Sequence, residues 1–421
     1  MILSQANLLT WLIVGAATAG VVARPLRWPE ATWACAGAVL LLALGLLPFG
    51  EGLKAVGEGL DVYLFLIGMM LLSEISRREG LFDAVAALAV NLAGGSTARL
   101  FLLVFGVGVI VTTFLSNDAT AVVLTPAVFA AARKARADPL PLLFICAFVA
   151  NAASFVLPIS NPANLVLYAA HTPPLLDWLK RFALPSAAAI LATYAALRWV
   201  ERDRLGGVCA GGVQQPPMTP GAWTALAGIG VTAVTLLVVS SLNLQLGLPT
   251  AALGVLTTLV VLVRSRASPL PVLKGVSWSV LPLVAGLFVL VAGVAHTGLI
   301  AMLAETLQRA ATVAPDRTAA GAGIVVAVAG NLMNNLPAGL IASSAIVQAH
   351  APPRVVDALM IGVDLGPNLS ITGSLATILW LTAIRREGEA VGFWRFLKVG
   401  AVVMPPALLA ALALRLLAGP V

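Results

Sequence analysis

The chain has 421 residues, of which 60% are hydrophobic and only 10% charged, and its mean hydropathy is +0.99. Soluble domains carry about a quarter charged residues, so this composition excludes an ordinary globular enzyme and indicates a polytopic membrane protein. The formal net charge of +7 comes from basic residues scattered through short loops, with no single patch, which argues against a nucleic-acid partner.

Crossing the hydrocarbon core takes about 20 apolar residues per helix. The first such run, Leu8 to Val22, follows a start without a basic n-region and reads as a retained helix, not a cleaved signal. Ala31 to Pro48 and Asp61 to Ser76 follow. Leu81 to Ala132 reads as a short amphipathic or interfacial helix and then a re-entrant hairpin whose tip is Ser116 to Asp118. Leu140 to Ala170 and Asp177 to Val200 complete a first unit, residues 1–200. Residues 201–220, charged and then rich in Gly and Pro, read as a cytoplasmic linker. The second unit, 221–421, repeats the order: Gly221 to Ser241, Thr250 to Val263, Lys274 to Ala295, a hairpin tipped by Asn334 to Leu336, Pro353 to Ala383, and Trp394 to Leu417.

The two units are copies. A constant offset of 218 carries Gly68 onto Gly286, Gly80 onto Gly298 and Asn117 onto Asn335. Two further polar breaks, Ala150 to Tyr168 and Gly362 to Trp380, match at an offset of 212. Five crossings per half require the second half to enter the membrane upside down relative to the first. With Met1 outside, the cytoplasmic loops hold 18 of the 25 basic residues, among them Arg24, Arg27, Arg77, Arg78, Arg133 and Lys134, so both termini are expected outside. The expected fold is an all-α polytopic membrane protein, an inverted repeat of two five-helix halves, each with a re-entrant hairpin and a broken helix.

Non-helical backbone at membrane depth survives only where it lines a cavity or is buried in protein, so the four breaks point to one site. Ser116, Asn117 and Thr120 in one hairpin and Asn331, Asn334 and Asn335 in the other supply amides and hydroxyls. Ser154, Ser160, Asn161 and Asn164 of the first broken helix, and Asn368, Ser370, Thr372, Gly373 and Ser374 of the second, add more. The alternative is that such groups merely join helices together. Two carboxylates stand out, Asp118 and Asp364, whose repeat-mates Leu336 and Ala152 are apolar. An ionisable group inside a membrane marks an ion or proton path, or else a carboxylate satisfied by helix N-terminal amides. No Lys or Arg falls near the breaks, which favours a small neutral polyhydroxylated solute over a strongly anionic one. His171, His296 and His350 fall in outward loops without ligand spacing, and no metal or cofactor is expected. Cys35, Cys146 and Cys209 lie far apart and suggest no disulfide framework.

Asn117-Asp118-Ala119 with Val123-Leu124-Thr125-Pro126, Asn334-Asn335-Leu336-Pro337, Asp364-Leu365-Gly366-Pro367-Asn368 and Gly373-Ser374-Leu375-Ala376-Thr377-Ile378-Leu379-Trp380 resemble the signatures of the arsenite efflux permeases (ArsB type) of the ion transporter superfamily. Ser116-Asn117 also resembles the hairpin tip of the related sodium-coupled dicarboxylate carriers, with Asp118 where their Thr would stand. Asn151 occupies a place where some arsenite permeases would have an acidic residue. The resemblance implies a multi-pass protein of a bacterial or archaeal cytoplasmic membrane. It would export the neutral trihydroxides of arsenic(III) and antimony(III) in exchange for protons, in some systems with a soluble ATPase subunit docked on the cytoplasmic face. Asp118 and Asp364 would carry the proton, and Cys146, a single thiol, would not chelate. The chain itself has no GxxxxGK[ST] loop and is expected not to be an enzyme. Two other readings stay open: a sodium-coupled carrier of carboxylates or of sodium itself, and a channel or exporter for silicic or boric acid.

Overall fold

The computed structural model describes residues 4–25, 28–168, 173–242 and 244–419. Arg27, His171 and the last residues of the expected fourth span, 169–170, lie outside them. Within the described residues the regular structure is helical, apart from one isolated bridge between Ser96 and Val208. The first half holds α1 (Gln5–Ala23), α2 (Glu30–Ala43), α3 (Phe49–Glu58), α4 (Leu60–Arg78), α5 (Leu81–Leu92), α6 (Thr97–Leu115), α7 (Asn117–Ala119), α8 (Thr125–Lys134), α9 (Pro139–Ala152), α10 (Pro162–Leu167) and α11 (Leu175–Val200). The second holds α12 (Pro220–Ser241), α13 (Gly247–Ser265), α14 (Leu270–Gly275), α15 (Val280–His296), α16 (Leu299–Val313), α17 (Pro315–Met333), α18 (Asn335–Ala349), α19 (Pro353–Leu365), α20 (Leu375–Arg386) and α21 (Phe393–Leu417).

Six of these helices, α1, α6, α11, α12, α13 and α21, are each long and apolar enough to cross a membrane alone. The pairs α3–α4 and α15–α16 qualify only together and are bent by 44° and 74°. Several expected spans are shorter than their hydrophobic runs. The run from Ala31 ends as a helix at Ala43, because Gly45 turns the chain at φ 65°. The run from Lys274 becomes helical only at Val280, after the short α14. Helix α9 has 14 residues, about 21 Å, and depends on the segment beyond its break to continue inward.

Helix ends follow local chemistry. Pro at the first turn and an Asn, Asp or Ser cap start α9 and α10, where Asp138 accepts from the Leu140 amide at 3.0 Å and Asn161 from Ala163 at 3.0 Å. The same residue types end the spans at the tips. Ser116 has φ 110° and ψ 161°, and Asn334, its mate at offset 218, has φ 77° and ψ 151°. That region is nearly reserved for glycine and costs about 1–3 kcal/mol, so the surroundings must hold both tips in place.

Packing exchanges elements between the halves. Helix α4 lies along α13 and α15 along α2, while α11 and α21 lie against each other. Both exchanged contacts need a glycine at the crossing: a Cβ on Gly68 would collide with the Thr250 carbonyl, and one on Gly286 with the Ala34 backbone. Residues 201–220 are strapped to the first half. Thr97 Oγ1 donates to the Gly207 carbonyl (2.8 Å), the Cys209 amide to Gly95 (2.9 Å) and the Ala210 amide to Ala135 (2.6 Å).

Gly68→Ala and Gly286→Ala should each lower stability by about 1–3 kcal/mol through overpacking. Gly15→Ala and Gly230→Ala, where an added Cβ meets nothing within 4 Å, should be neutral. Thermal unfolding of the detergent-solubilised variants checks the contrast.

Candidate functional site

Behind the first tip the chain forms a π-turn at Thr120–Leu124, and the widened turn is stitched by hydroxyls: Thr112 and Thr120 share a 2.7 Å hydrogen bond, and Thr125 donates to the Thr120 carbonyl (3.1 Å). Asn117 is buried, and its Oδ1 has no hydrogen-bond partner among the described residues. The second tip is closed differently. Asn334 Oδ1 accepts from the Leu336 amide (3.2 Å), and the Asn335 amide donates to the Gly373 carbonyl (2.8 Å). Asn331 secures that tip against the second broken helix. Its Nδ2 donates to the Ala327 and Gly366 carbonyls (2.8 and 2.9 Å), its Oδ1 accepts from the Ser370 amide and hydroxyl (3.0 and 2.8 Å), and Thr372 donates to its carbonyl (2.9 Å).

The first broken helix stops at Ala152 and resumes at Pro162. Asn164 Nδ2 fills the gap by donating to the Ser154 and Leu157 carbonyls (2.8 and 3.3 Å), and Ser160 donates to Thr113 (3.0 Å). Asn161 crosses between halves, its Nδ2 donating to Asp364 Oδ1 at 2.8 Å, while Asp364 Oδ2 accepts no hydrogen bond. A second crossing centres on Asn151. Its Nδ2 donates to Asn368 Oδ1 (3.0 Å) and Thr377 (3.3 Å), its Oδ1 accepts from Ser374 (3.2 Å), and Asn368 Nδ2 donates to the Phe148 carbonyl (3.0 Å).

These elements enclose a narrow cavity of about 10 Å³, room for about one water. Asn117 and Asp118 from the first tip, Asn161 from the first break and Asn335 from the second tip line it, and the second broken helix contributes Leu375 and Ala376. An adjoining cavity of about 50 Å³ shares Asp118 and Pro162 and is lined by Ser116, Ser73, Glu74 and Ser277. No Lys or Arg is among the described residues that line either one. The remaining residues singled out in the sequence, Thr120, Ser160, Asn164, Asn334, Asn368, Thr372, Gly373 and Ser374, stand in the surrounding wall. Thr120, Ser160, Asn164, Asn334, Asn368, Thr372 and Ser374 spend side-chain polar groups on backbone or on one another. Gly373 instead lets the second break approach Pro367 and Asn331 closely. Asp364 meets the cavity through Asn161. Cys146 is buried in α9 and donates weakly to the Leu142 carbonyl (3.7 Å), away from both cavities. Among the described residues no His, Cys, Asp and Glu cluster could hold a metal.

Sequence reasoning missed two features. One is the Asn151 crossing. The other is a buried charge cluster at the far end of α10, where Asp357 meets Arg415, Arg181 and Tyr168. Its signal was Asp357 in α19 and Arg415 in α21, each an ionisable residue among apolar neighbours.

An all-helical chain with several apolar helices, broken where amides and a carboxylate face a shared cavity, defines a membrane transporter. The chain belongs to the family described as citrate transporter (CitMHS), whose profile matches residues 11–384. It is 29% identical over 396 residues to the arsenical pump membrane protein of Escherichia coli (strain K12), covering 90% of this chain and 92% of that protein. It is 28% identical over 366 residues to the protein of the same name from Yersinia enterocolitica, covering 83% and 85%. Two solved transporters share its fold. The Alcanivorax borkumensis YdaH transporter superposes with a TM-score of 0.57 at 16% identity, covering 88% of this chain and 87% of that one. Neisseria gonorrhoeae MtrF superposes with a TM-score of 0.56 at 14% identity, covering 90% and 84%.

Saturated and unsaturated amides should respond differently to truncation. Asn331→Ala removes four side-chain hydrogen bonds and should cost about 1–3 kcal/mol or more in thermal unfolding, whereas Asn117→Ala should leave stability near wild type.

Proposed function

We propose that this protein exports the trihydroxides of arsenic(III) and antimony(III) from the cytoplasm in exchange for protons. The observation that carries the reading is the composition of the central cavity: three amides and one carboxylate with no Lys or Arg among the described residues that line it, and an acceptor, Asn117 Oδ1, with no partner among the described residues. A neutral trihydroxide offers three O–H donors and three oxygen acceptors, which suits amides and a carboxylate. The relatives named arsenical pump membrane protein and the signature resemblance favour the same substrates.

Exchange follows from competition. Ionised Asp118 accepts a substrate O–H, and ionised Asp364 holds Asn161 through a charge-assisted hydrogen bond. Protonation replaces the anionic acceptor at Asp118 by a weaker neutral one and weakens the Asp364 hold on Asn161, so proton and substrate favour alternative states of one site. A proton entering from outside therefore releases the substrate, and its departure to the cytoplasm restores the site. The halves, residues 1–200 and 221–421, act as an inverted repeat about this site, joined by a cytoplasmic linker at 201–220, with both termini outside a bacterial or archaeal cytoplasmic membrane. The exchanged contacts α4–α13 and α15–α2 and the matched tips at Ser116 and Asn334 support that arrangement. A soluble ATPase subunit could act only from the cytoplasmic face, and exchange itself needs no more than the proton gradient.

The family's description favours a second reading, a cation-coupled carrier of citrate or another carboxylate. A trianion would meet Asp118 in a cavity without a Lys or Arg, a repulsion that only a co-bound cation could offset.

Uptake of labelled arsenite or antimonite into everted vesicles under an imposed pH gradient separates the readings. Gradient-driven, sodium-independent accumulation, unaffected by citrate, is expected. Sodium-dependent citrate uptake without arsenite movement would overturn the proposal. In the same assay Asp118→Asn should abolish accumulation while retaining substrate-for-substrate exchange. Asn117→Ala and Asn335→Ala should each raise KM by about 5- to 150-fold, the equivalent of about 1–3 kcal/mol.

A further inference from the structure

Helix α10 runs antiparallel to α19 and is tied to it at both ends. At its N-cap Asn161 donates to Asp364 (2.8 Å), and at its C-cap the Tyr168 hydroxyl donates to Asp357 Oδ1 (2.7 Å). The two carboxylates are seven residues apart, two turns or about 10 Å along α19, and so share one face of it. The two ends are built differently. Asp357 and Arg415 are both fully buried, with Arg415 Nε and Nη2 on Asp357 Oδ2 at 2.7 and 2.6 Å, and Arg181 Nη1 lies 3.5 Å from Oδ1. Two cations, from α11 and α21, thus fix the charge at this end, whereas no ion pair holds Asp364 among the described residues. Breaking such a buried set strands a charge, so Asp357 is a fixed point in the fold. Only the other end of α10 reaches the central cavity, through Asn161.

We propose that Tyr168 is a positioning residue for the polar site: by tying the far end of α10 to the Asp357 anchor, it sets where Asn161 stands in the cavity. The arrangement explains why a neutral hydroxyl sits among three charges remote from the cavity. It also assigns the two rungs distinct duties, one holding the helix and the other meeting substrate. The proposal rests on the cavity being the substrate site, and its two tests separate that premise from the positioning role.

Tyr168→Phe is the probe, because it keeps the ring that packs edge-on against Trp178 (5.5 Å between centroids) and removes only the hydroxyl. In a Cys35→Ser, Cys146→Ala, Cys209→Ala background, Asn161→Cys is titrated in membrane vesicles with a small methanethiosulfonate reagent. Adding Tyr168→Phe should change the labelling rate several-fold. An unchanged rate in the folded protein overturns the proposal, whatever the yield of that variant and whether or not the vesicles move arsenite. In transport assays Tyr168→Phe should raise KM for arsenite several-fold with Vmax close to wild type. If Tyr168 acts through Asn161, Tyr168→Phe should add nothing further in an Asn161→Ala background. Effects that multiply, or a loss of Vmax without change in KM, contradict it. Absence of arsenite movement by the wild type would instead remove the substrate reading, while the labelling result still decides the role of Tyr168.

Discussion

Hydrocarbon offers no hydrogen bonds, and everything specific about this chain follows from how it meets that constraint where its helices break. Each break frees backbone carbonyls and amides that water would otherwise satisfy. The chain answers with side-chain amides: Asn164 caps carbonyls of the first break, Asn331 satisfies the Gly366 carbonyl and the Ser370 amide of the second, and Asn151 joins the two through Asn368. Most of the polar groups at membrane depth are thereby consumed. Among the described residues Asn117 Oδ1, Asn164 Oδ1 and Asp364 Oδ2 are left without a partner, and of these Asn117 lines the small cavity beside Asp118, with Asn161 and Asn335.

The two tips share one backbone form and differ in chemistry. Both tips adopt the same strained backbone, at Ser116 and at Asn334, and both exchanged helix contacts turn on glycines at matched positions. The tips nevertheless differ in what they offer. The second is stitched to its own broken helix through Asn331 and the Asn335–Gly373 bond. The first carries Asp118 where the second has Leu336, and it borders both small cavities. The two tips thus share a backbone and differ in charge, the first alone carrying a carboxylate.

Much of this was legible in the sequence, for identifiable reasons. The breaks are polar words in an apolar text, and the offset of 218 that relates Asn117 to Asn335 also relates Gly68 to Gly286 and Gly80 to Gly298. Helix boundaries were less legible, since hydropathy continues through Leu44 to Leu47 while Gly45 turns the chain. Partners were least legible of all. Nothing in the local sequence of Asn368 says that it faces Asn151 and not the cavity, and Asp357, Arg415 and Tyr168 become one cluster only when α10, α19 and α21 pack together. Residue type identified polar groups at depth; only tertiary structure separated those that hold the wall from those that face the space within it.

The central claim is that proton and substrate occupy alternative states of one site. It is tested most directly without a membrane, by measuring proton release when antimonite binds the purified, detergent-solubilised protein in weakly buffered solution. The account predicts that binding releases protons from the wild type and that release is lost in the Asp118→Asn, Asp364→Asn double variant. Binding without proton release in the wild type, or undiminished release in the double variant, would contradict it.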